Sequence, residues 1–304
     1  MHRRTVVKAA AATGLAALFG AVATTRAGAA TQISERVFDL SIASAALGRS
    51  APVRLILPTA YDAQPTRTWP VLYLLHGAHD DYNSWTRETD IEAFTEGLGL
   101  IVAMPDGGPT GIPTKWRDGT DYETFQLAEV HAVLRGAYRA STVRAVAGVS
   151  TGGYGAIAHA ARHPGAFAAA ASYSGILDTT LFGVPPLVDA IVARENVAAW
   201  SLWGNPVFQY ATWRDYNPRV RASALSGTPL YVSNGSGLAG GTGDLLPEAL
   251  ESALWPSAHS FTSALNLLRI PVTTHYYSGG GHSWAYWQPE FRASWPILAS
   301  ALGL

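Results

Sequence analysis

Ser150 lies in Gly148-Val149-Ser150-Thr151-Gly152, between a short apolar run that ends at Val149 and a segment rich in alanine that follows it. The pattern predicts a buried strand running into a helix, and a G-x-S-x-G at such a junction is the signature of a nucleophile elbow. The turn is so tight that side chains on the flanking residues would collide with it, which leaves only glycine. It would push the Ser150 hydroxyl out at the top of a sheet. It would also set the backbone N–H of Thr151, at the helix N-terminus, where an oxyanion forms. Glycine and serine are common in ordinary turns as well, so the reading depends on whether the rest of the chain supplies partners.

A nucleophilic serine needs a base that accepts its proton near neutral pH and later returns it. His282, in Gly279-Gly280-Gly281-His282-Ser283-Trp284, falls in a loop between the last expected strand and the final helix. The other histidines fit less well: His131, His159 and His259 fall in helical segments, His163 at a helix end and His275 within a strand. The acid that orients the imidazole should lie between Ser150 and His282, after an expected strand over 229–233. Asp244 and Glu251 compete for that place, and chemistry alone does not choose between them. Asp244 could equally cap a helix, Glu251 could equally sit on a solvated helix face, and Asp178 is a weaker third option.

The second oxyanion donor is expected after Leu75, in His76-Gly77-Ala78-His79-Asp80-Asp81. Gly77 lets the backbone approach a substrate closely, so the Ala78 N–H is the natural partner of the Thr151 N–H. The same cluster carries metal-ligating atoms, but without cysteine or repeated ligand spacing neither a metal nor another cofactor is expected.

The elements that must hold these residues follow from pattern. A chain of 304 residues, 48% hydrophobic and 14% charged, can bury one large α/β core better than two small ones. Strands are expected over 53–57, 70–75, 100–104, 167–173, 229–233 and 272–277, and helices over 91–98 and 122–138. The second of these helices would place Phe125, Leu127, Val130 and Leu134 near one face. This alternation predicts a mostly parallel sheet with helices on both faces. Residues 181–221, rich in Trp, Pro and Asn, read as an insertion over the carboxyl ends of the strands, where lids and acyl pockets are often built. A net charge of −1 argues against a nucleic-acid partner. At the N-terminus, Arg3-Arg4 precede an apolar, alanine-rich run and then Ala27-Gly28-Ala29, which resembles a twin-arginine export signal over 1–30 cleaved near Ala29. The remaining 31–304 would form one domain, soluble outside the membrane or loosely associated with the cell envelope.

Several stretches together carry a family resemblance. They are Asp80-Asp81-Tyr82-Asn83-Ser84-Trp85, Met104-Pro105-Asp106-Gly107-Gly108, Glu123-Thr124-Phe125, the elbow, Leu202-Trp203-Gly204, Asn234-Gly235, Leu250-Glu251 and 282–287. Across nearly the whole domain the chain resembles the esterase D superfamily of α/β-hydrolases, most closely the secreted mycolyltransferases of the antigen 85 type. The resemblance implies an α/β-hydrolase fold and acyl transfer from an ester to water, a sugar hydroxyl or a glycerol hydroxyl. It implies Glu251 as the acid, with Asp244 as runner-up, Ala78 and Thr151 as oxyanion donors, and Trp284 on the substrate wall. The mycolyltransferase pattern has an aspartate and an arginine, both associated with trehalose binding, where this chain has His76 and His79. A histidine lacks the permanent forked charge of arginine, so these two are expected to shape a different substrate site. Some relatives of this type are silent secreted binding proteins, which is the alternative to an enzyme.

Overall fold

The computed structural model describes residues 30–237 and 245–304. The expected export signal and Asp244 lie outside the described residues. Among the described residues a nine-stranded sheet runs in the order β1-β2-β3-β5-β4-β6-β7-β8-β9. The strands are β1 (Thr31–Gln32), β2 (Val37–Ser44), β3 (Arg49–Ile56), β4 (Trp69–Leu75), β5 (Ile101–Pro105), β6 (Ala140–Val149), β7 (Ala169–Tyr173), β8 (Leu230–Gly235) and β9 (Thr273–Tyr277). From β5 to β9 the neighbours are parallel, as the alternating pattern predicts. The first three strands add an antiparallel edge, of which only part of β3 was expected.

The central strands are apolar on both faces because helices cover both. Val71, Tyr73 and Leu75 of β4 join one core with Ile157 and Ala161 of α5 (Ser150–Arg162) and Phe261 and Leu265 of α8 (Leu245–Leu267). Leu72 and Leu74 point the other way, toward Trp85 and toward Trp287, Phe291 and Leu298 of α9 (Trp284–Leu302). At about 1.5–3 kcal/mol for each large apolar side chain buried, this period-two alternation fixes the register of the strands that carry the site.

The helix expected over 122–138 is broken into a single turn, α3 (Tyr122–Thr124), a π-helical segment (Phe125–Val130) and α4 (His131–Ala137). The wider π turn departs from the 3.6-residue face. Leu127 is only half-buried, and Gln126 is buried in its neighbourhood. The helix expected over 91–98 is likewise shorter, α2 (Ile91–Phe94), and follows the short α1 (Ser84–Glu88).

The insertion contains α6 (Val184–Arg194) and α7 (Tyr210–Asp215) and has its own apolar cluster, in which Val188, Val192, Trp203 and Trp213 pack with Tyr154 of α5. Tyr154 donates a hydrogen bond to the Tyr216 carbonyl (3.0 Å), and Arg162, at the far end of α5, donates to the Asp215 carboxylate (2.7 Å).

Candidate active site

The elbow is built by contact between backbones. Leu75 of β4 lies in register with Gly148 of β6, so the two strands end side by side where Ser150 begins α5. A Cβ on Gly152 would lie 2.3 Å from the His76 carbonyl oxygen and 2.6 Å from that of Leu75, and one on Gly148 would lie 2.3 Å from the Gly152 carbonyl oxygen. Neither position can carry a side chain. Ser150 itself has φ 55°, a left-handed conformation that L-residues adopt at a cost and that tight packing here enforces.

Ser150, His282 and Glu251 form a hydrogen-bonded row. His282 Nε2 is 2.8 Å from Ser150 Oγ, and His282 Nδ1 is 2.9 Å from Glu251 Oε2. The histidine loop is anchored by its own backbone, with the His282 N–H donating to the Pro247 carbonyl at the start of α8. Glu251 has no exposed surface. Its second oxygen accepts from the Ser174 hydroxyl (2.7 Å), the Asn234 side-chain amide (3.0 Å) and the Gly235 N–H (2.6 Å). A carboxylate taken out of water needs such donors, and this set leaves Oε2 aimed at the imidazole. With Glu251 so held, Nδ1 carries the proton and Nε2 faces the serine as acceptor. Asp178, the weaker acid option, is engaged elsewhere: its carboxylate accepts from Asn217 (2.8 Å) and Ser260 (2.6 Å).

Sequence reasoning did not single out Ser174 or Trp287 as supports. The Trp287 indole N–H donates to Ser174 Oγ (3.1 Å), and its ring packs edge-to-face on His282 with centroids 4.9 Å apart. Ser174, at the carboxyl end of β7, has φ 53°. Its position directly after a buried parallel strand was the available signal.

The Thr151 N–H lies in the first turn of α5, where helix geometry provides no intrahelical acceptor. Ala78 is half-buried in the loop after β4, beside Gly77, whose Cα packs on Ser150; a Cβ there would lie 3.2 Å from Ser150 Cβ. Among the described residues the Ala78 N–H makes no hydrogen bond.

His76, expected at the substrate site, is held within its own loop. Its side chain is buried, at 2% exposure, because both ring nitrogens are used by loop backbone: Nδ1 is 2.8 Å from the Gly77 carbonyl oxygen and Nε2 accepts the Gly107 N–H at 2.9 Å. His79 is exposed, adopts φ 62° and bonds Glu195 at the end of α6, tying the loop to the insertion. Trp284 is half-buried, stacked edge-to-face between Trp85 (5.0 Å) and Trp287 (5.3 Å), two residues from His282.

Residues 44–297 match the family described as "Putative esterase". The chain is 31% identical over 320 residues to diacylglycerol acyltransferase/mycolyltransferase Ag85B of Mycobacterium intracellulare, covering 99% of this chain and 94% of that protein. Among solved structures, Mycobacterium tuberculosis MPT51 superposes with a TM-score of 0.72 at 23% identity, over 85% of this chain and 96% of the other. An S-formylglutathione hydrolase from Agrobacterium tumefaciens also gives 0.72, at 16% identity, over 91% and 99%. At these identities the two structures bear on the fold alone.

Proposed function

This chain belongs to the esterase family that also holds the antigen 85 mycolyltransferases, and on that premise we propose that it is an exported serine acyl-ester enzyme working through an acyl-enzyme on Ser150. The observation that carries the reading is the row Ser150 Oγ, His282, Glu251 at the mouth of a strained elbow, with spacings of 2.8 and 2.9 Å. His282 Nε2 takes the proton of Ser150 as Oγ attacks the ester carbonyl. Glu251 stabilises the imidazolium that forms, and the N–H groups of Thr151 and Ala78 receive the developing oxyanion. The imidazolium then protonates the leaving alcohol. In the second half-reaction His282 deprotonates the acceptor, which attacks the acyl-Ser150 carbonyl and regenerates the serine. An acceptor that is water makes the reaction hydrolysis; a sugar or glycerol hydroxyl makes it acyl transfer. Export is assigned to the segment 1–30; no helix among the described residues is long and apolar enough to cross a membrane.

The test uses the mature protein, a simple acyl ester and a fluorophosphonate probe. Labelling and turnover are expected in the wild type, both lost in Ser150→Ala. Glu251→Ala is expected to lose about 10³–10⁴-fold in kcat, by analogy with loss of the orienting acid in Ser-His-Asp enzymes. A nearly silent Glu251→Ala beside an inactive Asp244→Ala would move the acid to Asp244. Absence of both labelling and turnover in folded wild type would sink the enzyme reading. Adding trehalose or glycerol then separates the outcomes, since a transferase makes acyl-sugar or acyl-glycerol in excess of free acid.

A further inference from the structure

The buried histidine beside the nucleophile has a use that its hydrogen bonds bring out. Gly77 C=O and Ala78 N–H are the two ends of one peptide unit, and in a trans peptide they point in opposite directions. The imidazole Nδ1–H of His76 donates to the carbonyl end at 2.8 Å. The other end is the N–H that finds no acceptor among the described residues, and it directly follows Gly77, where a Cβ would lie 3.2 Å from Ser150 Cβ. We infer that His76 is a positioning residue for the oxyanion site: by holding and polarising the Gly77–Ala78 peptide, it aims the Ala78 N–H at the oxygen of the tetrahedral intermediate and strengthens it as a donor. This rests on the acyl-enzyme reading above.

Three further observations support it. Nε2 of His76 accepts from the Gly107 N–H at 2.9 Å, which fixes the tautomer with its proton on Nδ1 and hence the direction of donation to Gly77. The loop is also clamped from outside, where the His79 N–H donates to the Pro109 carbonyl and Gly111, at φ 58°, approaches so closely that a Cβ there would lie 2.6 Å from the Gly77 oxygen. Behind the ring, a chain of hydrogen bonds runs back to the elbow helix: His159 Nε2 donates to Gln126 Oε1 (3.0 Å), and Gln126 Nε2 donates to the Asp106 carbonyl (3.0 Å), one residue before Gly107. The helix that carries Ser150 and Thr151 and the loop that carries Ala78 are thus referenced to each other through polar contacts. Linked hydrogen bonds polarise one another, so a donor at the carbonyl end makes the N–H end a better donor.

The experiment compares His76→Asn with His76→Gln in the mature protein. The Asn amide nitrogen takes the place of Nδ1 and can still donate to Gly77, whereas the Gln amide reaches the place of Nε2. His76→Gln is expected to lose about 10–100-fold in kcat, less than deletion of an oxyanion donor, with KM within about threefold. Its affinity for a trifluoromethyl ketone analogue of the ester should fall by the same factor, while His76→Asn retains most of both. Equal kcat in wild type and His76→Gln, or a loss confined to KM, would overturn the inference. A readout on wild-type protein covers the case in which the variants do not fold. In 15N-histidine NMR, the His76 Nδ1–H proton should move downfield when Ser150 is phosphonylated, because an oxyanion mimic on Ala78 N–H makes Gly77 a stronger acceptor; an unmoved resonance overturns the inference. Wild type that neither labels nor turns over would instead remove the acyl-enzyme reading, a result separate from either of these.

Discussion

The two sides of the proposed oxyanion site are held by different means. On the elbow side, Gly148, Gly152 and the ends of β4 and β6 touch backbone to backbone, and Thr151 N–H is placed by the helix it belongs to. On the loop side, Ala78 has no regular element of its own; its peptide is set by a buried imidazole and by carbonyl and amide partners drawn from residues 106–111. The first arrangement is steric and tolerates no added atom. The second is polar and depends on partners far away in sequence, so it can be tuned by single side chains without dismantling the sheet. A site built on one rigid and one adjustable donor can keep its nucleophile fixed while its second donor varies.

Gly152→Ala is the most severe way to break the contrast. The new Cβ meets the carbonyls of Leu75 and His76 at 2.6 and 2.3 Å, so it disturbs both sides at once. A loss on the order of 4 kcal/mol is expected, read as a large drop in Tm and in soluble yield. A variant with wild-type Tm and activity would mean that the elbow is not sterically set.

Acid offers a smaller perturbation through the polar link. Burial, with the neighbouring charges of lesser weight, holds His159 down at about 4, against an ordinary value near 6.5. A lowered pKa means that the unfolded chain binds the proton first as pH falls. The stabilisation from neutral His159 is therefore complete above about pH 6.5 and lost progressively toward pH 4, by about 3 kcal/mol. His159→Gln keeps a donor toward Gln126 and should flatten the fall of Tm between pH 6.5 and 4.5. An unchanged slope would assign acid sensitivity to other groups.

The smallest effect is expected at His79, three residues from His76 and its opposite in setting. Its pairing with Glu195 is exposed, and such pairs are worth about 1 kcal/mol or less. His79→Ala should leave Tm nearly unmoved and change kcat at most a few-fold; a loss as large as that of His76→Gln would show that the side-chain tie to Glu195, not the His76 imidazole, governs Ala78.

These differences also explain what the sequence made legible. The elbow was readable because its constraint is local: a strand, two glycines and a serine within five residues report the geometry directly. The parallel sheet was readable for the same reason, through uninterrupted apolar runs. The antiparallel β1 and β2 were missed, since their alternating polar residues suit a strand only once β3 is known to pair with them. The roles of His76 and Gln126 could not be read, because burial of a polar side chain depends on partners brought together by the fold. The π turn that accompanies the burial of Gln126 departs from the very periodicity used to find the helix. Choosing Glu251 over Asp244 came from family resemblance and not from residue chemistry, for either carboxylate could bond an imidazole.

The attachment of the insertion to α5 bears on how this enzyme class could be re-engineered. Tyr154, one turn after Ser150, and Arg162, at the helix end, both hold the segment that ends near Tyr216. The helix is in effect a keel, with the nucleophile at its prow and the insertion as superstructure. An insertion transplanted from a relative would arrive on a foreign foundation, whereas the stretch from Ser150 to Arg221 moved as one cassette would bring its own.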